Sequence, residues 1–424
     1  MIGNVRYQMI RTDLAEIITS FAKALDLSSN GIAYHHQTVA LIALAIAEQL
    51  EIPGHDRDTI FLSALVHDAG IRTQGEVGGL LVFEDKNPFN HCKQGYEIFS
   101  PSTLLHSLAH IILHHHDRWK GPNPSGLTGN EIPIASNIIY LADRVSALMH
   151  REEFVLNRSH EIVKTIVQSV GTMFNPLAVD AFVEVAKKDS FWLDVQTEFI
   201  VESITRKKPR QMVTLSVQEL TELVSCFSRV IDSKSPYTHM HSVTVASVAG
   251  FLARKLGFSE YEQAMIKVAG YLHDVGKIAI PDSILNKPDK LTDQEYSIMK
   301  KHAYYSYALL QNIPGLELVL AWGPTHHEKL DGSGYPRRLK GGEISLGARI
   351  MAVSDIFTAL IEDRPYRAGL NKEGCLAIMK ELGDSNHLDQ LIINLVEQYY
   401  GSLLMIKEQI FPITAAAQCG YPKF

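Results

Sequence analysis

The C-terminal half of the chain is rich in side chains that bind cations. The whole sequence contains 19 histidines, and many of them stand beside an aspartate or another histidine. Imidazole and carboxylate together suit iron, manganese, zinc or nickel better than calcium or magnesium. Adjacent pairs favour metal ligation over isolated buried histidines. The candidate ligands are His241, His273, Asp274, His302, His326, His327 and Asp355.

These groups exceed what one tetrahedral ion needs, so the sequence predicts a dinuclear site. Asp274 can bridge two ions with its two carboxylate oxygens. Two neighbouring ions activate water and neutralise a phosphodiester, which predicts phosphodiester hydrolysis. The remaining groups divide into two predicted sets: His241, His273 and Asp355 for one ion, and His302, His326 and His327 for the other.

A lysine and a glycine-containing loop accompany the predicted ligands. Lys277 follows Asp274 by one helical turn, so we assign both residues catalytic roles. The ammonium would either stabilise charge on the phosphoryl oxygens or donate a proton to the leaving alkoxide. The loop after His327 contains Gly334, Tyr335 and Pro336. Glycine permits unusual backbone geometry and proline stiffens the chain, so this loop presents the tyrosine to a substrate.

Helices must position these groups, because helical periodicity dominates the sequence. Apolar residues recur at three- and four-residue spacing, for example from Val243 to Leu256, and paired hairpin signals are absent. Apolar helical runs precede both His273 and Asp355. The sequence therefore predicts an all-α fold in which ligands converge inside a helical bundle.

The two halves repeat the same blocks in the same order. The paired residues are separated by offsets between 205 and 212 positions. Such regularity predicts two copies of one helical domain. We predict a first domain over 1–205, a solvated linker over 206–215 and a second domain over 216–424. The pairs are His36 with His241, His67 with His273, His91 with His302, His115 with His326, and Asp143 with Asp355.

Composition excludes several classes of protein. The chain has 424 residues, 46% of them hydrophobic, which is ordinary globular composition. A net charge of −7 argues against polymeric nucleic acid as a partner. Four scattered cysteines without CxxC spacing argue against a cysteine zinc site and fit a cytoplasmic location. The longest apolar run is too short to span a membrane.

The C-terminal half resembles the HD-GYP phosphodiesterases over residues 216–400. The resemblance rests on HDVGK at 273–277 and HHEKLDGSGYP at 326–336. It implies an all-helical HD domain that hydrolyses a bacterial 3′–5′ cyclic dinucleotide to a linear dinucleotide or to mononucleotides. Cyclic di-GMP is the first expectation, and cyclic GMP-AMP is its competitor. The implied cofactors are two divalent transition-metal ions, iron or manganese before nickel or zinc.

Further residues follow from the resemblance. Arg364 and Arg367, in DIFTALIEDRPYR, match the family's substrate-binding stretch and would bind a phosphate. Some members hold a third metal through a glutamate four residues before the first histidine. Tyr237 stands there in this chain, so we expect a dinuclear site. We treat the nearby His239 as structural.

The N-terminal half resembles a divergent HD domain. It retains a matching set of candidate ligands, but Ile71 replaces the lysine and NPSGLTG replaces the GYP loop. Tyr34, His35 and His114 have no counterpart in the second copy. Three roles remain open for this half: a regulatory module that binds metal, an esterase for a different phosphate ester, and a dimerisation surface. The candidate ligands are His36, His67, Asp68, His91, His115, His116 and Asp143.

Two other functions stay open for the whole chain. One is a module that binds a cyclic dinucleotide without hydrolysing it and signals by contact with other proteins or as a homodimer. The other is a hydrolase of a different nucleotide, since the HD fold supports many phosphate chemistries.

Overall fold

The computed structural model describes residues 9–28, 34–71, 83, 88–149, 153–196, 199–233, 240–363 and 368–419. These residues form helices joined by turns, and two short strands. The predicted all-α fold class is confirmed. The chain divides into two compact units, one over Asp13–Met212 and the other over Met1–Thr12 with Val213–Phe424. Among the described helices, none is long and apolar enough to cross a membrane.

The N-terminal unit is built from ten described α-helices and two 3₁₀ turns, at Gly129–Glu131 and Val155–Asn157. The helices are α1 Leu14–Ser28, α2 His35–Gln49, α3 Gly54–Leu65, α4 Phe89–Phe99, α5 His106–Leu113, α6 Ile134–Leu148, α7 Ser159–Gln168, α8 Pro176–Ala186, α9 Asp189–Gln196 and α10 Ile200–Lys207.

The C-terminal unit follows a similar plan, with 3₁₀ turns at Val275–Ala279 and Gly341–Glu343. Its described helices are α11 Val217–Ser233, α12 His241–Lys255, α13 Glu260–Leu272, α14 Asp282–Leu285, α15 Asp293–Met299, α16 Lys301–Leu310, α17 Glu317–Trp322, α18 Leu346–Ile361, α19 Lys372–Asp384, α20 Gln390–Gln398 and α21 Tyr400–Cys419.

The segment predicted to be a solvated linker, 206–215, contains the end of a helix and a whole strand. Helix α10 continues to Lys207, and strand β2 spans Met212–Leu215. Strand β2 pairs with strand β1, Ile10–Asp13, in a two-stranded sheet. Residues 10–12 therefore belong to the C-terminal unit, whereas the prediction placed them in the first domain. Each strand has only four residues and its partner is distant in sequence, so local alternation gave too weak a signal.

Local sequence signals explain where the helices of the C-terminal unit begin. Ser259 accepts a hydrogen bond from the backbone N–H of Glu262, whose carboxylate bonds back to the backbone of Ser259, which starts α13. Thr292 and Glu295 form the same capping box at α15. Such reciprocal bonds satisfy backbone donors that a helix start would leave unpaired.

The central helices bury apolar faces and carry the predicted ligands at their ends. In α12, Val245, Val248 and Leu252 are fully buried, and this helix packs on α13 and α18. His241 is the first residue of α12, and His273 follows the last residue of α13. Packing of these helices therefore brings the two side chains towards one end of the bundle.

A close backbone approach fixes one of the remaining ligand helices. A Cβ added to Gly276 would lie 2.1 Å from the carbonyl oxygen of His302 and 2.7 Å from the amide nitrogen of Ser306. The Gly276 N–H also donates to the Ser306 hydroxyl at 2.9 Å. Only glycine permits this contact between the HDVGK turn and α16. Gly70 has the same relation to His91 in the N-terminal unit.

We predict that Gly276→Ala destabilises the C-terminal unit by about 1–3 kcal/mol, because α16 must move away from the new methyl group. Thermal unfolding followed by circular dichroism measures this change as a lower midpoint. Gly401→Ala is the control, since nothing lies within 4 Å of a Cβ at that position. An unchanged midpoint for Gly276→Ala would contradict the close approach.

Candidate metal centre

The structure brings the predicted ligands of the C-terminal unit together. The ligand atoms of His241, His273 and Asp355 lie within 4.8 Å of one another, and so do those of a second group, His302, His326 and His327. Asp274 lies between the two groups. Its Oδ2 is 3.0 Å from His273 Nε2, and its Oδ1 is 3.4 Å from His302 Nε2 and 3.8 Å from His326 Nε2. We call these seven residues the C-terminal cluster.

Backbone hydrogen bonds set the orientation of three imidazoles in this cluster. The Nδ1–H of His273 donates to the carbonyl of Gly270 at 2.7 Å. His302 and His326 make the same bond, at 2.6 and 2.7 Å, to the carbonyl three residues earlier. With the proton on Nδ1, each Nε2 presents a lone pair to the centre of the cluster. This is the arrangement in which histidine binds metals.

The converging atoms have no other partner. The Nε2 atoms of His273, His302 and His326 and the Oδ1 of Asp274 are buried without a hydrogen bond. An unpaired buried polar group is costly, and several that face one point indicate a group that pairs them all. The donor set of imidazoles and carboxylates therefore fits divalent metal ions.

Burial keeps the imidazoles of the second group neutral, as metal ligation requires. It lowers the pKa of His302 to about 4 and that of His326 to about 3. Burial alone would raise the pKa of Asp274, but the charges of His273 and Lys277 hold it well below its ordinary value. At neutral pH, the cluster therefore combines the neutral nitrogen donors of His302 and His326 with the ionised carboxylate of Asp274.

Glu362 is a site residue that the sequence analysis missed. Its Oε2 lies 2.9 Å from His241 Nδ1, while His241 Nε2 lies 3.0 Å from Asp355 Oδ1. Burial would lower the pKa of His241, but these two carboxylates raise it to about 9. Glu362 follows Asp355 by two helical turns, so its position on the same face of α18 was the available signal.

Lys277 contacts the centre of the cluster directly. Its Nζ forms an ion pair with Asp274 Oδ2 at 2.5 Å, and its side chain remains 20% exposed. The ammonium is thus held at the Asp274 carboxylate while it still reaches the solvent side, as a group that acts on a bound substrate must.

The GYP loop places an aromatic ring over the cluster. The ring of Tyr335 stacks on His327 with 4.7 Å between centroids and an interplanar angle of 27°. The Tyr335 N–H donates to the His327 carbonyl. Gly334 is required, because a Cβ there would lie 2.4 Å from the backbone nitrogen of Lys329. Pro336, the last residue of the motif, is half-buried beside the tyrosine.

Glu328 anchors this loop, and the sequence analysis did not assign it a role. The carboxylate is buried and accepts backbone N–H bonds from Arg337 at 2.7 Å and from Leu339 at 2.9 Å. Its position directly after the two histidine ligands was the available signal. Four residues singled out in the sequence lie outside the described residues: Tyr237, His239, Arg364 and Arg367.

The candidate ligands of the N-terminal unit also converge. One group of ligand atoms within 4.8 Å comes from Asp68, His91, His115 and His116. His67 and Asp143 form another with a residue that the sequence analysis set aside, His35. The Nδ1–H of His67 and that of His115 donate to the carbonyls of Ala64 and Ile112. The N-terminal cluster is the set of candidate ligands in this unit: His35, His36, His67, Asp68, His91, His115, His116 and Asp143.

The structure corrects the predicted equivalence of His36 and His241. Helix α2 begins at His35, as α12 begins at His241. His35 Nε2 lies 3.4 Å from Asp143 Oδ1, as His241 Nε2 lies near Asp355. His35 therefore has a counterpart, and its offset of 206 residues also relates His67 to His273. Two adjacent histidines hid this register in the sequence, because a one-residue shift changes the pattern little.

Comparison with known proteins supports this description. A family model for the HD domain matches residues 32–148, and another HD domain model matches residues 225–392. A 3′3′-cGAMP-specific phosphodiesterase 1 of Vibrio cholerae is 30% identical over 404 residues, which cover 92% of this chain and 93% of that protein. This chain belongs to the HD-GYP family.

Other HD-GYP relatives match shorter stretches. A cyclic di-GMP phosphodiesterase response regulator of Xanthomonas campestris is 42% identical over 160 residues, which cover 37% of this chain and 42% of that protein.

A crystal structure of a cyclic GMP-AMP specific phosphodiesterase of V. cholerae superposes with a TM-score of 0.63 and 24% identity. The match covers 97% of this chain and 99% of that one, and it supports the two-domain fold.

We predict that Glu328→Gln destabilises the C-terminal unit by about 1–3 kcal/mol. An amide group cannot accept both backbone N–H bonds, so one donor is left unpaired. Limited proteolysis of the 331–340 loop and thermal unfolding measure the effect. Glu408→Gln, at an exposed position, is the control. Unchanged cleavage and an unchanged midpoint in Glu328→Gln protein would show that the carboxylate does not hold the loop.

Proposed function

We propose that this chain is a metal-dependent phosphodiesterase that hydrolyses a 3′–5′ cyclic dinucleotide at the C-terminal cluster. The observation that carries this proposal is the position of Asp274, whose two oxygens face two separate groups of buried ligands. A carboxylate so placed can join two cations at one substrate phosphate. HD-GYP relatives named as cyclic dinucleotide phosphodiesterases support the substrate class.

The fit of the cluster supports two divalent ions, with iron or manganese as the first candidates and nickel or zinc as the next. His241, His273 and Asp355 would hold one ion, His302, His326 and His327 the other, and Asp274 both. When bound, such ions supply Lewis-acid charge to the phosphate and lower the pKa of water. His327 and Asp355 are the least buried ligands, so a substrate reaches the cluster from their side.

Lys277 is the proposed acid of the reaction. Its Nζ pairs with the bridging carboxylate of Asp274, which keeps a proton close to the scissile phosphate. Donation of this proton to the departing 3′ oxygen removes the need to expel an alkoxide. The stacked ring of Tyr335 forms one wall of the substrate site, and Gly334 and Pro336 fix its backbone. We assign the second phosphate to Arg364 and Arg367.

Two substrates remain candidates within this class. A relative that matches 92% of this chain and another that matches 68% are named for 3′3′-cGAMP, whereas one that matches 37% is named for cyclic di-GMP. We therefore propose cyclic GMP-AMP beside cyclic di-GMP as a candidate substrate. Buried thiols at Cys92 and Cys226 support a cytoplasmic location.

The decisive experiment follows both dinucleotides by chromatography with protein purified anaerobically and loaded with iron or manganese. We expect Asp274→Ala to abolish turnover and to release the metal of the C-terminal cluster. Lys277→Met should lower kcat by about 10²–10⁴-fold with little change in KM and with metal content unchanged, because only proton transfer is lost.

Lys290→Met is the matched control, since that lysine is exposed and distant in sequence from the motifs. Its turnover should equal that of the unaltered protein. Normal turnover by Asp274→Ala or Lys277→Met protein would refute the assigned roles. Binding of both dinucleotides without any hydrolysis would instead support a signalling module.

A further inference from the structure

The N-terminal cluster contains an imidazole that the C-terminal cluster lacks. His36 follows His35 directly, whereas Ser242 follows His241. We propose that the N-terminal cluster is a closed metal centre that holds its helices together and performs no hydrolysis, with His35 and His36 both as ligands. This inference does not depend on the activity proposed for the C-terminal unit.

The hydrogen bonds around His36 indicate that this residue is a metal ligand. Its Nδ1 lies 2.7 Å from Asp26 Oδ1, and the same oxygen accepts the backbone N–H of His36 at 3.0 Å. Gln37 Nε2 donates to the other oxygen of Asp26 at 3.0 Å. The carboxylate therefore fixes both the tautomer and the direction of the ring. A carboxylate on the remote nitrogen of a histidine is a frequent feature of metal sites.

The other nitrogen of His36 faces the cluster. His36 Nε2 is buried without a hydrogen-bond partner among the described residues, and the ligand atom that His36 offers lies within 4.8 Å of those of His67 and Asp68. His35 Nε2 is likewise buried without a hydrogen bond and lies 3.6 Å from Asp68 Oδ2. Together the two histidines supply an additional protein nitrogen where the C-terminal cluster has none. In a metal centre, an added protein ligand takes a position that water or substrate would occupy.

Burial distinguishes the two clusters at matched positions. The side chain of Asp143 is fully buried, whereas that of Asp355 is 15% exposed. His116 is 2% exposed and its ring faces Tyr140, while the matching His327 is half-buried under Tyr335. Among the described residues, the C-terminal cluster thus has an open side and the N-terminal cluster shows none. Closed coordination is typical of structural metals, and an open position is typical of catalytic ones.

Arg144 closes the centre further. Its guanidinium is buried and donates to Asp143 Oδ2 from Nη2 at 2.6 Å and from Nε at 3.1 Å. One oxygen of this aspartate is therefore committed, and only Oδ1 remains for a metal. Ile356 stands at the equivalent position of the C-terminal unit. A buried cation bonded to the ligand reduces the room and the negative charge available for additional ions or water.

The N-terminal cluster has no lysine at the position that matches Lys277. The backbone N–H of Ile71 bonds to the Asp68 carbonyl as that of Lys277 bonds to Asp274, so the two positions are equivalent. Isoleucine cannot donate a proton to a leaving group. What the cluster can do is connect α2, α4 and α6 with the turn after α3, because its ligands come from each of these segments.

The test uses the whole chain with the C-terminal cluster disabled by Asp274→Ala. We expect this folded protein to retain transition metal, as measured by plasma mass spectrometry after anaerobic preparation. Asp26→Asn in the same background should weaken metal affinity in chelator competition by about 10–100-fold, because the ring of His36 loses its anchor. His36→Ala in the same background should remove a ligand and lower the midpoint of thermal unfolding. A chelator should lower the midpoint of the Asp274→Ala protein, and should lower that of the protein that also carries His36→Ala much less.

His55→Ala is the control, because that histidine is exposed in the same unit. Folded Asp274→Ala protein that contains no metal would overturn the proposal, as would unaltered affinity in both His36→Ala and Asp26→Asn proteins. Hydrolysis of bis(p-nitrophenyl) phosphate by Asp274→Ala protein, lost on adding Asp68→Ala, would show an open, hydrolytic centre and also overturn it. Failure of cyclic dinucleotide turnover in the unaltered protein would affect only the function proposed for the C-terminal unit.

Discussion

A single kind of hydrogen bond organises both clusters. An imidazole Nδ1–H donates to the carbonyl three residues earlier, in His273, His302 and His326 and again in His67 and His115. This bond fixes the orientation of the ring and directs Nε2 towards the interior of the unit. Burial lowers the pKa of His67, His302 and His326, so these rings are neutral donors that cannot satisfy one another. The need to pair these atoms makes a cation the natural occupant of each cluster.

The helical bundle supports this arrangement twice with different consequences. Both units place glycine where the HD turn meets a ligand helix, and both bring an aspartate from a late helix to the first histidine. What surrounds the ligands differs. Lys277 and the Tyr335 loop border the C-terminal cluster on an open side, whereas Arg144 and His36 fill the N-terminal cluster. Similar ligands therefore serve different chemistry, because access and the neighbouring acid decide reactivity.

Three acidic residues that surround the C-terminal cluster have roles in positioning its ligands and the GYP loop. Glu328 ties the GYP loop to the histidine pair through two backbone bonds. Asp331 accepts the backbone N–H of Ser333 and shapes the same turn. Glu362 orients His241 from the far end of α18. Such residues act through others, and their loss would disturb the position of groups whose own chemistry is intact.

The sequence by itself determined the helical class, the duplication and most of the candidate ligands, because periodicity and the spacing of reactive side chains are local properties. It did not determine that His35 is the counterpart of His241, since adjacent histidines differ only in the direction that helix α2 gives them. The strand pairing of β1 with β2 and the contacts of Glu328, Glu362 and Asp26 were also decided by tertiary structure. Each depends on residues distant along the chain or on side-chain direction, which spacing does not encode. Openness is likewise a property of packing, so only the folded units distinguish an accessible cluster from a closed one.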